Sequence, residues 1–425
     1  MRSTLVGLAL LAALPFLACS SDDTPSSPGA TGADAGAPSD GSAATTDAST
    51  QADGATTPEP VDLGPVPAWR EGMTKWQWLE LTGTAFTSVP VADPFTGAMV
   101  APTSRVDAWN GLAANLDTNR VYLACAGGHA DWAGNETYEL DLHTAHPTWK
   151  VLRGPTMAPD VLASNGSQGI FHDYYADGRP SSTHLYYALH FVRAKQSIFK
   201  LSAGSIWGTG NEGNSKVDAF DLTKNDWAAE GTYAEGPGGR TAAPLADRAY
   251  AHDPDTDDVY TYFAGAFRKW TAATATWSKL ADRPAYANDD VVTGSASAVD
   301  PARKRVLFAR NAYRVAQSEG IVYDVTGNAI AAATFTGAEA ATMASGGAGM
   351  VFVPSEDAYL LTSGAGGKVV RVDPASFATS VVATTGATPP NAANGVYTRW
   401  LYLPKLEGIA YLPRGSANAW FLATR

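Results

Sequence analysis

Residues 125–152, CAGGHADWAGNETYELDLHTAHPTWKVL, concentrate the residue types that could do chemistry: one of the chain's two cysteines, three of its seven histidines and a Gly-Gly pair. An imidazole at His129, two positions before the Asp131 carboxylate, could serve as a general base or ligand oriented by that acid. A bound zinc needs several ligands, and no second histidine stands at a ligand spacing beside His129. The same stretch also suits a shaped loop in which His129 and Asp131 cap backbone groups, and spacing alone favours that use. DPDTDD at 253–258 has the look of a calcium loop. Equivalent phrases hold LDTNR, DPARK and PSED, so it reads as a turn that tolerates acids. No metal and no cofactor are expected.

The second chemical signal is arginine, which outnumbers lysine 19 to 11. Arg193, Arg248, Arg268, Arg310 with Asn311, Arg314, Arg399 and Arg414 fall at the ends of short β-like runs. A planar guanidinium matches carboxylate or sulfate better than a point charge does. Tyr250, two residues beyond Arg248, shares a side of its strand, and Trp109, Trp132 and Tyr313 could add flat apolar faces. Together they suggest an anionic ligand such as a uronate-containing or sulfated glycan.

The elements that must position these residues recur. Short alternating runs (RVYLACAGG, DVYTYFAG, RVLFARN, AYLLTSG, GIAYLPRG) end at turns and follow similar phrases: AANLDTNRVYL, AHDPDTDDVYT, AVDPARKRVLF, VFVPSEDAYLL, LYLPKLEGIAY. Each is strand, acid-rich tight turn, strand. The turns begin at Asn115, Asp173, Asp253, Asp300, Val353 and Leu403, separated by 58, 80, 47, 53 and 50 residues. A period near 50 is that of a propeller blade.

Cys125 to Leu152 resembles a kelch repeat. Gly127-Gly128 closes the second strand, Asn135 and Tyr138 open the third, Asp141 turns it, and Trp149-x-x-Leu152 lies in the fourth. Asp221…Trp227 and Trp270…Trp277-x-x-Leu280 repeat the pattern, whereas the last three blades keep only the strands. The resemblance implies an all-β, six-bladed kelch-like β-propeller over 69–425, five or seven blades being the alternative counts. The C-terminus supplies three strands, and KWQWLEL at 75–81 would complete the last blade and leave no open edge.

On this register His129, Asp131 and Trp132 lie at the channel mouth, and so do Arg193, Arg248, Arg268, Arg310, Asn311, Tyr313 and Arg399. His190 ends the second strand of blade two, and His184 opens it, far from the mouth. His172 and His252 read as structural, and His143 and His146 as exposed at the opposite end. Residues 192–216, with Lys195, Lys200 and Trp207, form an insertion that would overhang the mouth as a lid or a partner contact. Propeller-type polysaccharide lyases place Arg against the uronate while Tyr or His removes a proton. By that likeness His129, Tyr250 and His190 are the catalytic candidates. The two tyrosines and two histidines of a galactose-oxidase copper site are not matched, since no Tyr-His pair occurs, and neither sialidase boxes nor nucleotide-binding loops appear.

The chain begins MRSTLVGLALLAALPFLACSSDD, a short apolar run after Arg2 that reads as a secretory signal over 1–18. Phe16-Leu17-Ala18-Cys19 resembles a bacterial lipobox with Cys19 as the lipidated residue, and Ser20 favours the outer membrane. Residues 19–68 are rich in Ser, Thr, Ala, Gly, Asp and Pro, so they should form a disordered tether reaching about 35–40 Å. Eight of the chain's 42 acidic residues lie there; without them and Arg2 the net charge falls from −12 to −5, which does not suggest nucleic-acid binding. With Cys19 acylated, Cys125 has no disulfide partner. The expectation is a monomeric, surface-tethered binding propeller for an anionic glycan or a protein. A lyase-like enzyme and a structural or adhesion protein of the envelope are the alternatives. An enzyme requires a histidine or tyrosine within hydrogen-bond reach of a basic partner at the mouth. Adhesion requires a blocked channel.

Overall fold

The computed structural model describes residues 61–209, 213–237, 248–263, 266–282, 294–309 and 319–425. The signal segment, Cys19 and the linker to residue 60 lie outside the described residues, and so do Arg310, Asn311, Tyr313 and Arg314. Six sheets, each built on four antiparallel strands from the inside out, form a six-bladed β-propeller; in blades five and six a two-residue parallel strand, Thr336–Gly337 or Thr385–Gly386, is added at the outer edge. Their inner strands are Ala113–Asn115, Leu189–Val192, Ala251–His252, Ser297–Asp300, Gly349–Val353 and Trp400–Leu403.

The hairpin at the end of each inner strand explains the recurring phrase. Its last residue is left-handed in every blade: Asn119, Gln196, Asp257, Lys304, Asp357 and Glu407, with φ between 43° and 61°. Such a turn is strained for most side chains and easiest for Asn and Asp. In blades one, three and four the acid or amide that opens the turn caps it. Asn115, Asp253 and Asp300 accept backbone N–H bonds from two or three residues on, at 3.0, 3.0 and 3.1 Å. We call the end carrying these hairpins the lower face, and the end where inner strands begin the upper face.

The ring closes as the strand count requires. Gln77–Leu81 pairs with Ala419–Ala423, register Trp78 to Leu422 and Leu81 to Ala419, and so becomes the outer strand of blade six. Trp78 packs among Trp400, Tyr411 and Trp420 at ring separations of 6.0, 6.1 and 6.4 Å. These four rings form the aromatic core of blade six, clustered with Val353, Leu360 and Val369 of blade five. The tryptophan of the outer strand of blade one, Trp149, packs 4.8 Å from Phe86 in the segment that precedes the blade.

Blade two departs from the sequence reading. Its inner strand is Leu189–Val192 and its hairpin is Arg193–Lys195 with Gln196, so Asp173 opens no blade turn. His190 therefore lies on the inner strand rather than at the end of the second. The long insertion is the segment between Arg153 and Leu189, which crosses the upper face. Ser197–Leu201 is a blade strand, and Lys200 is fully buried against Asp218 at 2.9 Å, so that part of 192–216 is no lid. Thr183–His184 pairs with Gly204–Ile206. Next to it Tyr187 reaches across the top of the channel and its hydroxyl meets the carbonyls of Ala348 (2.7 Å) and Gly294 (3.2 Å), ahead of the inner strands of blades five and four. Tyr397 packs edge-on against Tyr186 and Tyr187 at 5.3 and 5.1 Å, completing an aromatic plug.

Candidate functional site

The loop after the second strand of blade one meets the crossing segment on the upper face. Ala126 bridges to Thr183, and Thr183 exchanges backbone bonds with Cys125 and Gly127 at 3.1 Å. Gly128 has φ +73°, and a Cβ there would lie 2.3 Å from the Ser205 carbonyl oxygen and 2.6 Å from the His184 nitrogen. Only glycine permits this approach. The Gly-Gly pair is thus the hinge that lets the His129 loop lie on the His184 backbone.

His184 is the centre of the resulting cluster. Its Nε2 stands 2.9 Å from Asp131 Oδ2 and its Nδ1 3.2 Å from the Tyr186 hydroxyl. An ionised carboxylate only accepts, so Nε2 carries the proton and Nδ1 accepts from the phenol. Burial lowers the His184 pKa below the usual histidine value, and the bond and charge of Asp131 only partly oppose it. His184 is therefore a neutral imidazole, locked in one tautomer, at the centre of an Asp–His–Tyr chain. The His129 ring lies 6.0 Å away and the Trp109 ring 5.0 Å away, the latter 36% exposed.

Backbone strain collects at the same place. Trp109, Cys125, His129, Tyr186 and Ser205 are all left-handed, with φ from 45° to 58°. The Tyr186 amide bonds the Trp109 carbonyl at 2.8 Å and the His129 amide bonds the Ser205 carbonyl at 2.9 Å, so these conformations brace one another. Strained non-glycine residues persist where the surroundings over-determine them, and they gather at ligand sites. Beneath the loop, Glu136 accepts from the Trp132 indole (2.8 Å) and the Tyr138 hydroxyl (2.7 Å). Arg105 bonds that hydroxyl and lies 4.7 Å over the Phe86 ring. Trp132 is accordingly a buried wall of the loop rather than an open stacking face.

The remaining candidates disperse. Arg399 is buried and donates to the carbonyls of Ala393 (2.7 Å), Pro413 (2.9 Å), Val396 and Gly395. Arg248 is buried beside the Tyr250 hydroxyl, and desolvation lowers its pKa. Arg193 lies on the lower face, clamped by Asp257 at 2.9 Å. Arg268 is half-buried on Ala266–Thr271, opposite Thr261. Arg399, Arg248 and Arg193 thus serve carbonyls, a phenol and a carboxylate of their own fold. Tyr250 and His190 meet each other, ring centres 6.0 Å apart, on the channel wall and away from His129. His184 and Tyr186 were missed because the sequence register put His184 far from the mouth, and because Tyr186 meets His184 through a left-handed turn just after the Thr183–His184 strand, which no spacing rule signals. Among the described residues no group of His, Cys, Asp and Glu could hold a metal ion.

No family model matches the chain, and no curated protein matches it. A solved structure of YjhT is similar at 10% identity over 74% of this chain and 93% of that one, TM-score 0.45. A chain of a crystal structure of the mitotic checkpoint complex is similar at 10% identity over 89% and 98%, TM-score 0.44. Likenesses this distant carry no argument about activity, and the propeller is read from its own strand order.

Proposed function

We propose that the protein is an exported, lipid-anchored propeller of kelch type that recognises an extracellular glycan through the His184 cluster. The carrying observation is the set of left-handed residues that brace one another around His184 and hold the half-exposed Trp109 ring beside His129 and the exposed Asp131. A flat apolar ring flanked by a carboxylate and an imidazole offers stacking and directional hydrogen bonds, the combination that fixes a sugar ring. The test is binding of the purified protein to a panel of acidic and neutral polysaccharides. Trp109→Ala should weaken binding about tenfold, the loss expected from one aromatic contact. Binding unchanged in this variant, or absent from every glycan, would refute the assignment.

A second reading has its own observation. The Tyr186 hydroxyl lies 3.2 Å from a neutral His184 whose tautomer Asp131 fixes, an arrangement in which a phenol can give up and regain a proton. On a uronate-containing glycan this is the chemistry of β-elimination. The proton leaves the carbon next to the carboxylate, the glycosidic C–O bond breaks, and a conjugated C=C bond remains. Ultraviolet absorbance of that bond, followed in the same panel and lost in Tyr186→Phe, would make the protein a lyase. Binding without that signal leaves it a receptor.

A further inference from the structure

Below the aromatic plug the channel holds a cavity of about 370 Å³ to which all six inner strands contribute. That volume falls at the small end of the ~300–1,000 Å³ span of ligand pockets. The wall is apolar for most of its length: Leu112, Phe191, Val299, Met350, Val351 and Leu401 line it. Its titratable wall residues include His190, Tyr250 and His252. His190 is buried, stacked 5.8 Å from His252, and burial with that neighbour holds its pKa well below the histidine range. Tyr250 is held neutral by its own burial. His252 faces Asp257, which Arg193 neutralises at 2.9 Å. Tyr187 shuts the upper end, and the lower end reaches the hairpins, where Asp117, Arg193, Asp255 and Lys405 form a polar rim.

The preceding chain arrives at that rim. Lys405 Nζ donates to the Val61 carbonyl at 2.8 Å and to the Asp117 carbonyl at 2.9 Å, and both Lys405 and Asp117 line the cavity. His143, also on the lower face, contacts the Leu63 carbonyl at 2.9 Å. The described chain thus begins at residue 61 beside the opening of the channel. A blind, apolar, elongated cavity with a polar rim matches an aliphatic chain that ends in a polar group. We propose that the channel is a binding site for a long-chain acyl group, inserted tail first from the lower face. The acyl chains of an N-terminal lipid on this protein and a free fatty acid share that chemistry.

The test is titration of the full-length protein with lauric acid, followed calorimetrically, in a lipid-bearing preparation and in Cys19→Ser. Saturable one-to-one binding is expected. Leu401→Glu places a carboxylate in the wall at a half-buried position and should weaken binding at least tenfold. Val351→Trp fills the same space without a charge and should do likewise, with an unchanged thermal midpoint as the check on folding. Trp109→Ala, on the opposite face, should leave laurate binding intact. Binding in Cys19→Ser alone identifies the protein's own lipid as the resident chain, and equal binding in both identifies a free acyl ligand. Absence of binding in both preparations, or equal affinity in the two wall variants and the parent, overturns the proposal.

Discussion

Acidification should destabilise the propeller through two buried histidines. His184 and His190 are each 4% exposed, and burial pushes both below the ordinary histidine value. In the unfolded chain both titrate near pH 6.5. A group with a lowered folded pKa contributes stability that is complete above the unfolded value and is lost as pH falls through it toward the folded one. A histidine that stays neutral in the fold costs about 1.4 kcal/mol at about pH 5.5 and almost nothing at about pH 7.5. The two together set a ceiling of ~2.8 kcal/mol, which the Asp131 carboxylate reduces at His184. Glu136 works in the opposite direction, because burial raises its pKa and the fold holds its proton more readily as pH falls. Urea unfolding at the two pH values, compared between the parent and His190→Leu, isolates His190 together with its coupling to the stacked His252 ring. The variant should lose less stability than the parent on acidification, by up to ~1.4 kcal/mol. Equal losses in both proteins would refute the claim that His190 is held neutral by the channel wall.

Other consequences are as specific. Gly128→Ala combines a left-handed backbone with a Cβ 2.3 Å from the Ser205 oxygen. It should cost about 3 kcal/mol in denaturant unfolding and weaken glycan binding by at least as much as Trp109→Ala does. Tyr187→Phe leaves the Ala348 carbonyl without its phenol and should cost about 1–2 kcal/mol, with the channel opened at its upper end; a neutral result would mean that the plug is held by ring packing alone. Cys125 is fully buried and its thiol is pushed up to about 12, so a thiol reagent at neutral pH should label it only in denaturant. Labelling of the native protein would show that the Gly127–Gly128 loop opens.

The repeating hairpins were legible because their chemistry is local. A left-handed residue and a capping side chain must sit within five positions, and Asn115 to Asn119, Asp253 to Asp257 and Asp300 to Lys304 satisfy both. Blade two was misread for the same reason. Its true turn, Arg193 to Gln196, carries no acid, whereas FHDYYADG at 171–178 imitates the phrase in a segment that is not a blade hairpin. Closure by KWQWLEL was legible because three C-terminal strands leave one position open. His129 and Asp131 could be singled out by type, but their partners could not. His184 and Tyr186 reach them through a segment that leaves blade one, crosses the upper face and pairs back at Ala126. Arginine type was visible and arginine burial was not, since Arg399 finds its acceptors among the carbonyls of the loop before its own strand and at Pro413 beyond the next strand.

The two faces divide the molecule in a way that bears on the proposed anchor. Val61 and Leu63 are held on the lower face by Lys405 and His143, and the Trp69 indole donates to the Thr144 carbonyl in the same region. A lipid at Cys19, the anchor proposed above, would join the propeller from the side of the lower face, with the His184 cluster on the opposite face. A glycan outside the cell would then meet Trp109, His129 and Asp131 without the bilayer intervening, while an acyl chain would meet the channel from the side on which lipid is present. The arrangement requires opposite preferences of the two sites. Moving the anchor to the upper face, by attaching the lipidated segment after Arg425 through a linker long enough to reach the upper rim, should impair capture of an insoluble glycan by tethered protein. Binding of a soluble fragment should stay unchanged, because only the access, and neither site, has been altered.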